Sequence, residues 1–374
     1  MKGMRHLVSL TPVVFLVTSV VACVPTASVP EPTRSAASPA QTSSPSVAPS
    51  ITASAIPVPA RISVSDGPIT SSAGAFLLFQ LPGETRLRAI TFDGAVSGTL
   101  PGQVPANTFW LQSAYGAPYL VGSTIYDRDG RSLGVIPWSV PMVSPAWSAE
   151  GTSLCAAVPS PPTTGSAMRL EQFTLGQQPR VIGTGFTNYS DNAAFPVLVC
   201  DSTTDRIITA VFGQGVAFAR LWVFRLSNGS LVRAAERPAS VVGAWVAANH
   251  DGTLLAESVR MTNAGPWMTR IVRADDGTQV ATIDGFVTQG FSGDNELVVG
   301  AYGANRVAVI EWKTGRIVWN ATGQYGGFRA EPNGKRLAVG VGFLGGSDQR
   351  DVYLVAPDGS ALLLPASVHA SLRY

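Results

Sequence analysis

Charge is the scarcest commodity in this sequence. Asp, Glu, Lys and Arg together make up 13% of the 374 residues, about half the roughly 25% of an ordinary soluble domain. The 26 basic and 24 acidic residues nearly cancel, and Lys2 and Arg5 belong to a leader that is expected to be removed, which leaves balance. A neutral chain without a basic run has no electrostatic footprint for nucleic acid. Histidine is rarer still, at three residues. Only His250 and His369 follow the leader, one directly before an Asp-Gly turn and one in the C-terminal tail, so general acid/base chemistry near neutrality has few candidates. Three cysteines are too few for a disulfide scaffold.

Complete catalytic or ligand motifs are also missing. Gly151-Thr152-Ser153-Leu154 ends in Cys155 rather than closing a Gly-x-Ser-x-Gly elbow. Gly340, Gly342 and Gly345 spell Gly-x-Gly-x-x-Gly, but they lie between two strands, and no helix follows to face a pyrophosphate. Asp127-Arg-Asp-Gly130 opens like a calcium loop without the later oxygen ligands. The reading is therefore of a protein without a metal, a cofactor or an assembled catalytic set, and not an enzyme.

What is present falls into three parts. Residues 1–22 place Lys2 and Arg5 before an apolar run, Leu7–Ala22, the pattern of a secretory signal. The run is shorter than the ~20 residues of a spanning helix and is interrupted by Pro12. Residues 23–60 are almost entirely Pro, Ser, Thr, Ala and Val. Such a stretch cannot offset its chain entropy by burial, and it reads as a disordered stalk. From 61 to 374 short apolar runs alternate with Gly, Asp and Asn turns, the texture of an all-β domain.

Within that domain one motif recurs. Polar turns ending in Gly94, Gly130, Gly176, Gly229, Gly277, Gly315 and Gly359 are spaced 36 to 53 residues apart, about 44 on average, in the range of propeller blades. Most are Asp-Gly or Asn-Gly, the strongest short hairpin signal. An aromatic residue followed by a polar turn opens most units: Trp110, Trp147, Trp245, Phe291 and Phe328. The unit around Ile207–Val211 fits less well, with Leu198 where the aromatic should be. The expected fold is a single β-propeller of seven blades, each of four antiparallel strands. Either Ile62–Val64 or Ser371–Tyr374 completes a blade across the seam.

Two resemblances refine this picture. Val20-Val21-Ala22-Cys23 resembles the lipobox of bacterial lipoproteins, with Val20 where that family more often has Leu. The resemblance implies cleavage before Cys23, acylation of its thiol, a lipid bilayer as first partner, and an extracytoplasmic location in the cell envelope. Trp147–Ala156 and Phe328–Val339 resemble the repeats of TolB-like and WD-repeat propellers, though no unit ends in Trp-Asp. Glu311–Trp319 is similar to a unit of quinone-type propellers, from which no quinone site is carried over to this chain.

Together these imply a monomeric, membrane-anchored binding or scaffolding module for an envelope protein or glycan. The alternatives are an enzyme acting on a glycan or peptide, or a small-molecule or quinone binder. Binding residues are expected in the long loops that join second to third strands and blade to blade, because loops on a rigid scaffold carry recognition. They give Tyr189, Asp191, Asn263, Asp348 and Arg350 as candidates. Cys155 and Cys200 fall on adjacent units, either as a disulfide or as two buried thiols. Trp110, Trp147 and Trp245 share a repeat position and read as packing, whereas Trp138, Trp267 and Trp312 could be exposed.

Overall fold

The computed structural model describes residues 46–47, 59–70, 74–105, 108–138, 145–159, 167–187, 196–212, 218–302, 305–342 and 349–372. The chain divides into Met1–Ser43, which lies outside the described residues, and Ser44–Tyr374. The second unit forms seven antiparallel four-stranded blades. Blade 1 contains Phe76–Gln80, Arg86–Thr91 and Ser97–Gln103; blade 2 runs from Trp110–Gln112 to Ser132–Val135. Blade 3 runs from Ala146–Trp147 to Arg180–Thr187, and blade 4 from Val197–Asp201 to Leu231–Glu236. Blade 5 comprises Gly243–Ala248, Leu254–Arg260, Met268–Arg273 and Gln279–Asp284; blade 6 runs from Val287–Phe291 to Arg316–Thr322. Blade 7 runs from Gln324–Ala330 to Ala361–Leu363.

The seven turn glycines each sit between the third and fourth strand of a blade, with positive φ from 70° to 87°. The aromatic openers lie on first strands. Blade 4, whose unit lacks the aromatic, still forms through Val197–Asp201.

Side-chain alternation explains why blades must stack. In blade 1, Leu77, Phe79 and Ile90 pack against blade 7, while Phe76, Leu78 and Leu87 pack against blade 2. Each strand thus offers an apolar residue to both neighbours, as its period of two requires. Seven buried apolar clusters result, each spanning one pair of adjacent blades. Each large side chain buried there contributes on the order of 1.5–3 kcal/mol. None of this burial is available to a blade alone.

The seam is closed by His369–Ala370, which pairs antiparallel with Phe79–Gln80 as the inner strand of blade 1. Closure therefore comes from His369–Ala370 and from Ser371, the first residue of the expected segment, whose N–H donates to Leu78 O at 3.2 Å. The alternative, Ile62, instead donates its N–H to Leu363 O at 2.8 Å on the outer edge of blade 7. Further along, Ile69 N donates to Thr99 O and Thr99 N to Gly67 O on the outer edge of blade 1. Ser46–Val47, within the stretch read as stalk, pairs in parallel with Thr282–Ile283 on the outer edge of blade 5.

Two turn glycines separate backbone strain from steric clash. Gly176 (φ 76°) has nothing within 4 Å of an added Cβ, whereas at Gly229 (φ 70°) a Cβ would lie 1.8 Å from Ile182 O. Gly176→Ala should cost only the left-handed penalty, about 1–2 kcal/mol. Gly229→Ala adds a collision with backbone of blade 3 that no rotamer relieves, so about 3 kcal/mol or more is expected. Urea unfolding midpoints of the two variants check this ordering.

Candidate functional site

Antiparallel connectivity puts the first-to-second and third-to-fourth turns of every blade on one face of the ring. The second-to-third loops and blade-to-blade connectors emerge on the other. On the first of these faces the central channel widens into a recess of about 690 Å³. Its wall is built from the ends of the first strands and the turns that follow them in blades 2 to 7. Tyr115, Glu150, Thr203, Asp251, Asn295 and Asn333 represent the six turns.

Local chemistry shapes these turns. Ser148 Oγ accepts hydrogen bonds from the N–H groups of Thr152 and Ser153, both at 3.1 Å. Asn249 Oδ1 accepts from Leu254 N and Ser292 Oγ from Leu297 N, both at 2.9 Å. One short polar residue thus ends the first strand and caps the turn in three blades, as Ser and Asn do where backbone donors need a local acceptor. Asn295 (φ 62°) and Asn333 (φ 56°) take the left-handed conformation on the wall itself, which Asn tolerates better than most residues.

The turns also bond to one another. Glu150 accepts from Ser202 Oγ at 2.8 Å and Thr203 Oγ1 at 2.9 Å, linking blade 3 to blade 4. Thr204 Oγ1 donates to Asp251 O, linking blade 4 to blade 5. Asn295 Nδ2 donates to Asp251 Oδ2 at 3.4 Å, and Asp294 N to Gly334 O at 3.1 Å. Lys335 pairs with Glu296 across the same blades 6 and 7. Behind this belt, a disulfide joins Cys155 to Cys200 with a Cα separation of 5.9 Å. Both residues are buried, and Cys200 lines the recess.

The recess borders the incompletely filled inner edge of blade 1. His369–Ala370 pairs only with Phe79–Gln80, and Gln112 of blade 2 stands in for the missing strand. Its Oε1 accepts from Leu78 N at 2.6 Å, and its Nε2 donates to Phe76 O at 2.9 Å. Arg329 of blade 7 reaches across to the carbonyls of Gln112 (3.0 Å) and Ser113 and is only 1% exposed. A side-chain amide thus replaces backbone pairing on the inner edge of blade 1, while the guanidinium ties blade 7 to blade 2.

Five carboxylates line the wall, namely Glu150, Asp201, Asp251, Asp294 and Glu331, against Arg329 and His250. Four of them hold turns together. Besides Glu150, Asp201 accepts from Thr203 N and Thr204 Oγ1, Asp251 from Thr253 N and Oγ1, and Asp294 from Ser292 Oγ and Glu296 N. Burial alone would raise the Glu150 pKa, but the hydrogen bonds it accepts, led by that from Ser202, hold it below the ordinary value. His250 lines the wall, and its Nδ1 is buried without a partner. Among the described residues no three metal-ligating side chains converge.

The residues singled out from sequence fall elsewhere. Asn263 is exposed in the second-to-third loop of blade 5, on the opposite face. Arg350 is a brace: its Nη1 donates to Gly326 O, and its backbone pairs with Val368. The two sit on different blades, and neither lines the recess. Tyr189, Asp191, Asp348 and Cys23 lie outside the described residues. His369 belongs to the closing strand rather than to a tail. Trp138 and Trp312 are buried, with their indole N–H groups on Glu171 and Asn295 O, whereas Trp267 is partly exposed. The recess residues looked like repeat grammar because each turn individually is. The only available signal was that the position before or at the turn glycine varies among Tyr, Glu, Asp and Asn.

No family model matches the sequence, and neither does any curated protein. The chain is similar in structure to the Dos1 propeller, at 10% identity with a TM-score of 0.44, covering 82% of this chain and 88% of that one. It is also similar to the Cps50 (Swd1) β-propeller domain of Myceliophteria thermophila, at 14% identity and a TM-score of 0.42, covering 73% and 94%. For U3-55K the identity is 13% and the TM-score 0.44, covering 68% and 79%. The seven-bladed assignment rests on the chain's own strand pairing.

The belt makes a pH prediction. A carboxyl whose folded-state pKa is depressed adds stability that is complete above its unfolded value, about 4.3 for Glu, and is lost as pH falls through the lower folded value. Glu150→Gln removes that dependence. Between about pH 4.5 and 2.5 the unfolding midpoint of the wild type should therefore fall more steeply than that of the variant. Parallel slopes in urea titrations would show that Glu150 is not held in this way.

Proposed function

We propose that the protein is a lipid-anchored, extracytoplasmic binding module whose ring receives a protein partner of the cell envelope. The leader directs export, Cys23 carries the acyl group, and the Pro/Ser/Thr-rich stretch tethers the ring to the membrane. The observation that carries the binding reading is the recess: it is preformed by six blades, and most of its wall carboxylates are already engaged in holding the turns. Preformed concavity favours binding because little ordering is left to be done on association. The five wall carboxylates oppose a polyanion at this mouth.

Anchor and recess are tested separately. In a bacterial host the wild type should incorporate labelled fatty acid and partition into the detergent phase of a Triton X-114 extract. Cys23→Ala should do neither, and retention of the variant in that phase would assign anchoring to the apolar leader instead. For the recess, Tyr115→Ala combined with His250→Ala alters two wall side chains that cap no turn. The double variant should recover at least about tenfold less of an envelope protein crosslinked to the wild type. Equal recovery would place the partner on another surface.

A further inference from the structure

One corner of blade 5, on the face opposite the recess, is built unlike the rest of the surface. Among the described residues nine large apolar side chains are conspicuously exposed, and three of them meet here: Val242 (45%), Met261 (55%) and Met268 (40%). Val242 lies on the connector from blade 4, Met261 on the second-to-third loop of blade 5, and Met268 at the start of its third strand. Backbone pairing brings the two segments together. Val242 N donates to Arg260 O at 2.9 Å, Gly243 pairs with Arg260, and Val259 pairs with Met268.

Trp267 is the fixed element of this corner. Its ring lies against Gly243, where an added Cβ would come within 3.0 Å of the indole, and its carbonyl accepts from Gly285 N at 2.8 Å. The Arg260 guanidinium stacks on the ring, 5.0 Å from its centroid. Arg260 Nε is buried with no hydrogen-bond partner, and Arg260 takes part in no ion pair among the described residues. The Nε of its neighbour on the next strand, Arg270, is likewise buried without a partner, but the Arg270 Nη2 is held by Glu257 at 3.0 Å. The segments 237–243 and 260–268 contain two arginines, Arg237 and Arg260, and no acidic residue. The nearest carboxylate by register is Asp284, opposite Met268.

The Nε lies too deep for a partner to reach, a feature shared with other arginines, so what sets Arg260 apart is a guanidinium without a counter-charge, and a carboxylate on its Nη groups would supply one. Here the guanidinium is pre-oriented by its stack on Trp267 and bordered by exposed Met and Val. Arg, Trp and Met enriched together, with acidic side chains depleted, is the composition of a protein-binding hot spot. A sugar is disfavoured, because the face of the Trp267 ring that it would stack on carries Arg260. An anionic membrane is disfavoured too, since such surfaces recruit clusters of about four to eight basic residues rather than two.

We propose that this corner of blade 5 docks an acidic, apolar segment of a partner protein, with a carboxylate pairing to Arg260 and a large apolar side chain resting on Met261, Trp267 and Met268. Pairing would satisfy the guanidinium bidentately, and the apolar contact would cover the exposed methionines, which adapt readily to a partner's shape. This surface is independent of the recess and stands or falls without it.

The test uses the full chain in detergent solution and a fluorescein-labelled nonapeptide, Asp-Leu-Asp-Trp-Asp-Leu-Asp-Trp-Asp, read by anisotropy. The control peptide has Lys at every Asp position. Saturable binding of the acidic probe is expected, weakening as salt rises from about 50 to 300 mM. Arg260→Gln and Met261→Ser should each raise its Kd at least tenfold while leaving the thermal melt unchanged. Because Met261 is exposed, its variant remains informative even if Arg260→Gln fails to fold. Three results would overturn the proposal: no acidic-probe binding up to about 1 mM, equal binding of the Lys control, or wild-type affinity in both variants. Binding of phosphatidylglycerol vesicles that is lost in Arg260→Gln, without peptide binding, would do so as well and would assign the corner to lipid.

Discussion

Two residue pairs at the seam, Phe79 with Ala370 and Gln80 with His369, are the constraint on which the rest of the ring depends. Every blade is apolar on both faces, so its burial is complete only when the last blade meets the first. The cluster across that junction contains Leu77, Phe79 and Ile90 from one side and Val352, Leu354, Leu364 and Leu372 from the other. Pairing His369–Ala370 with Phe79–Gln80 closes a contact nearly 300 residues apart in sequence. Loop closure over such a span adds only slowly to the entropic cost, and it delivers the seventh interface in one step.

The recess follows from the same economy of strand. Because the closing strand is two residues long, blade 1 has inner backbone groups that no strand reaches; Gln112 of blade 2 supplies their partners, and Arg329 of blade 7 in turn holds the carbonyl of Gln112. Buried polar groups of this kind are tolerated only when satisfied. The inner ends of blades 7, 1 and 2 are therefore tied by side chains, while blades 3 to 7 are tied by a belt of turn hydrogen bonds and one disulfide.

Much of the architecture was legible in the residues. Positive-φ glycines at hairpins and aromatic openers carry a mechanism that spacing alone reveals, which is why even blade 4, with Leu198 in place of the aromatic, could be counted. Closure was less legible: His369–Ala370 has no strand-like composition, and its role exists only in relation to Phe79–Gln80. The site was the least legible. Loop length directed attention to Asn263 and Arg350, but a long loop reports tolerance as much as recognition, and Arg350 turned out to be a brace. The recess is a sum over six turns, each ordinary by itself. Likewise Arg260 acquires meaning only from Trp267 beneath it and from its lack of an ion pair among the described residues, both of which are properties of the folded surface.

The route of the N-terminal segment bears on how the ring would respond to a pull on its amino end. Ser46–Val47, Ile62 and Gly67–Ile69 hydrogen-bond in turn to the outer strands of blades 5, 7 and 1. A pull travelling up the chain from its amino end meets these peripheral attachments before it reaches Phe76, and they run alongside the strands they grip, so that their bonds share the strain. The closing strand, two residues long and at the opposite terminus, lies outside that line of force. Such a pull would peel the wrapping from the rim before it could unzip the seam.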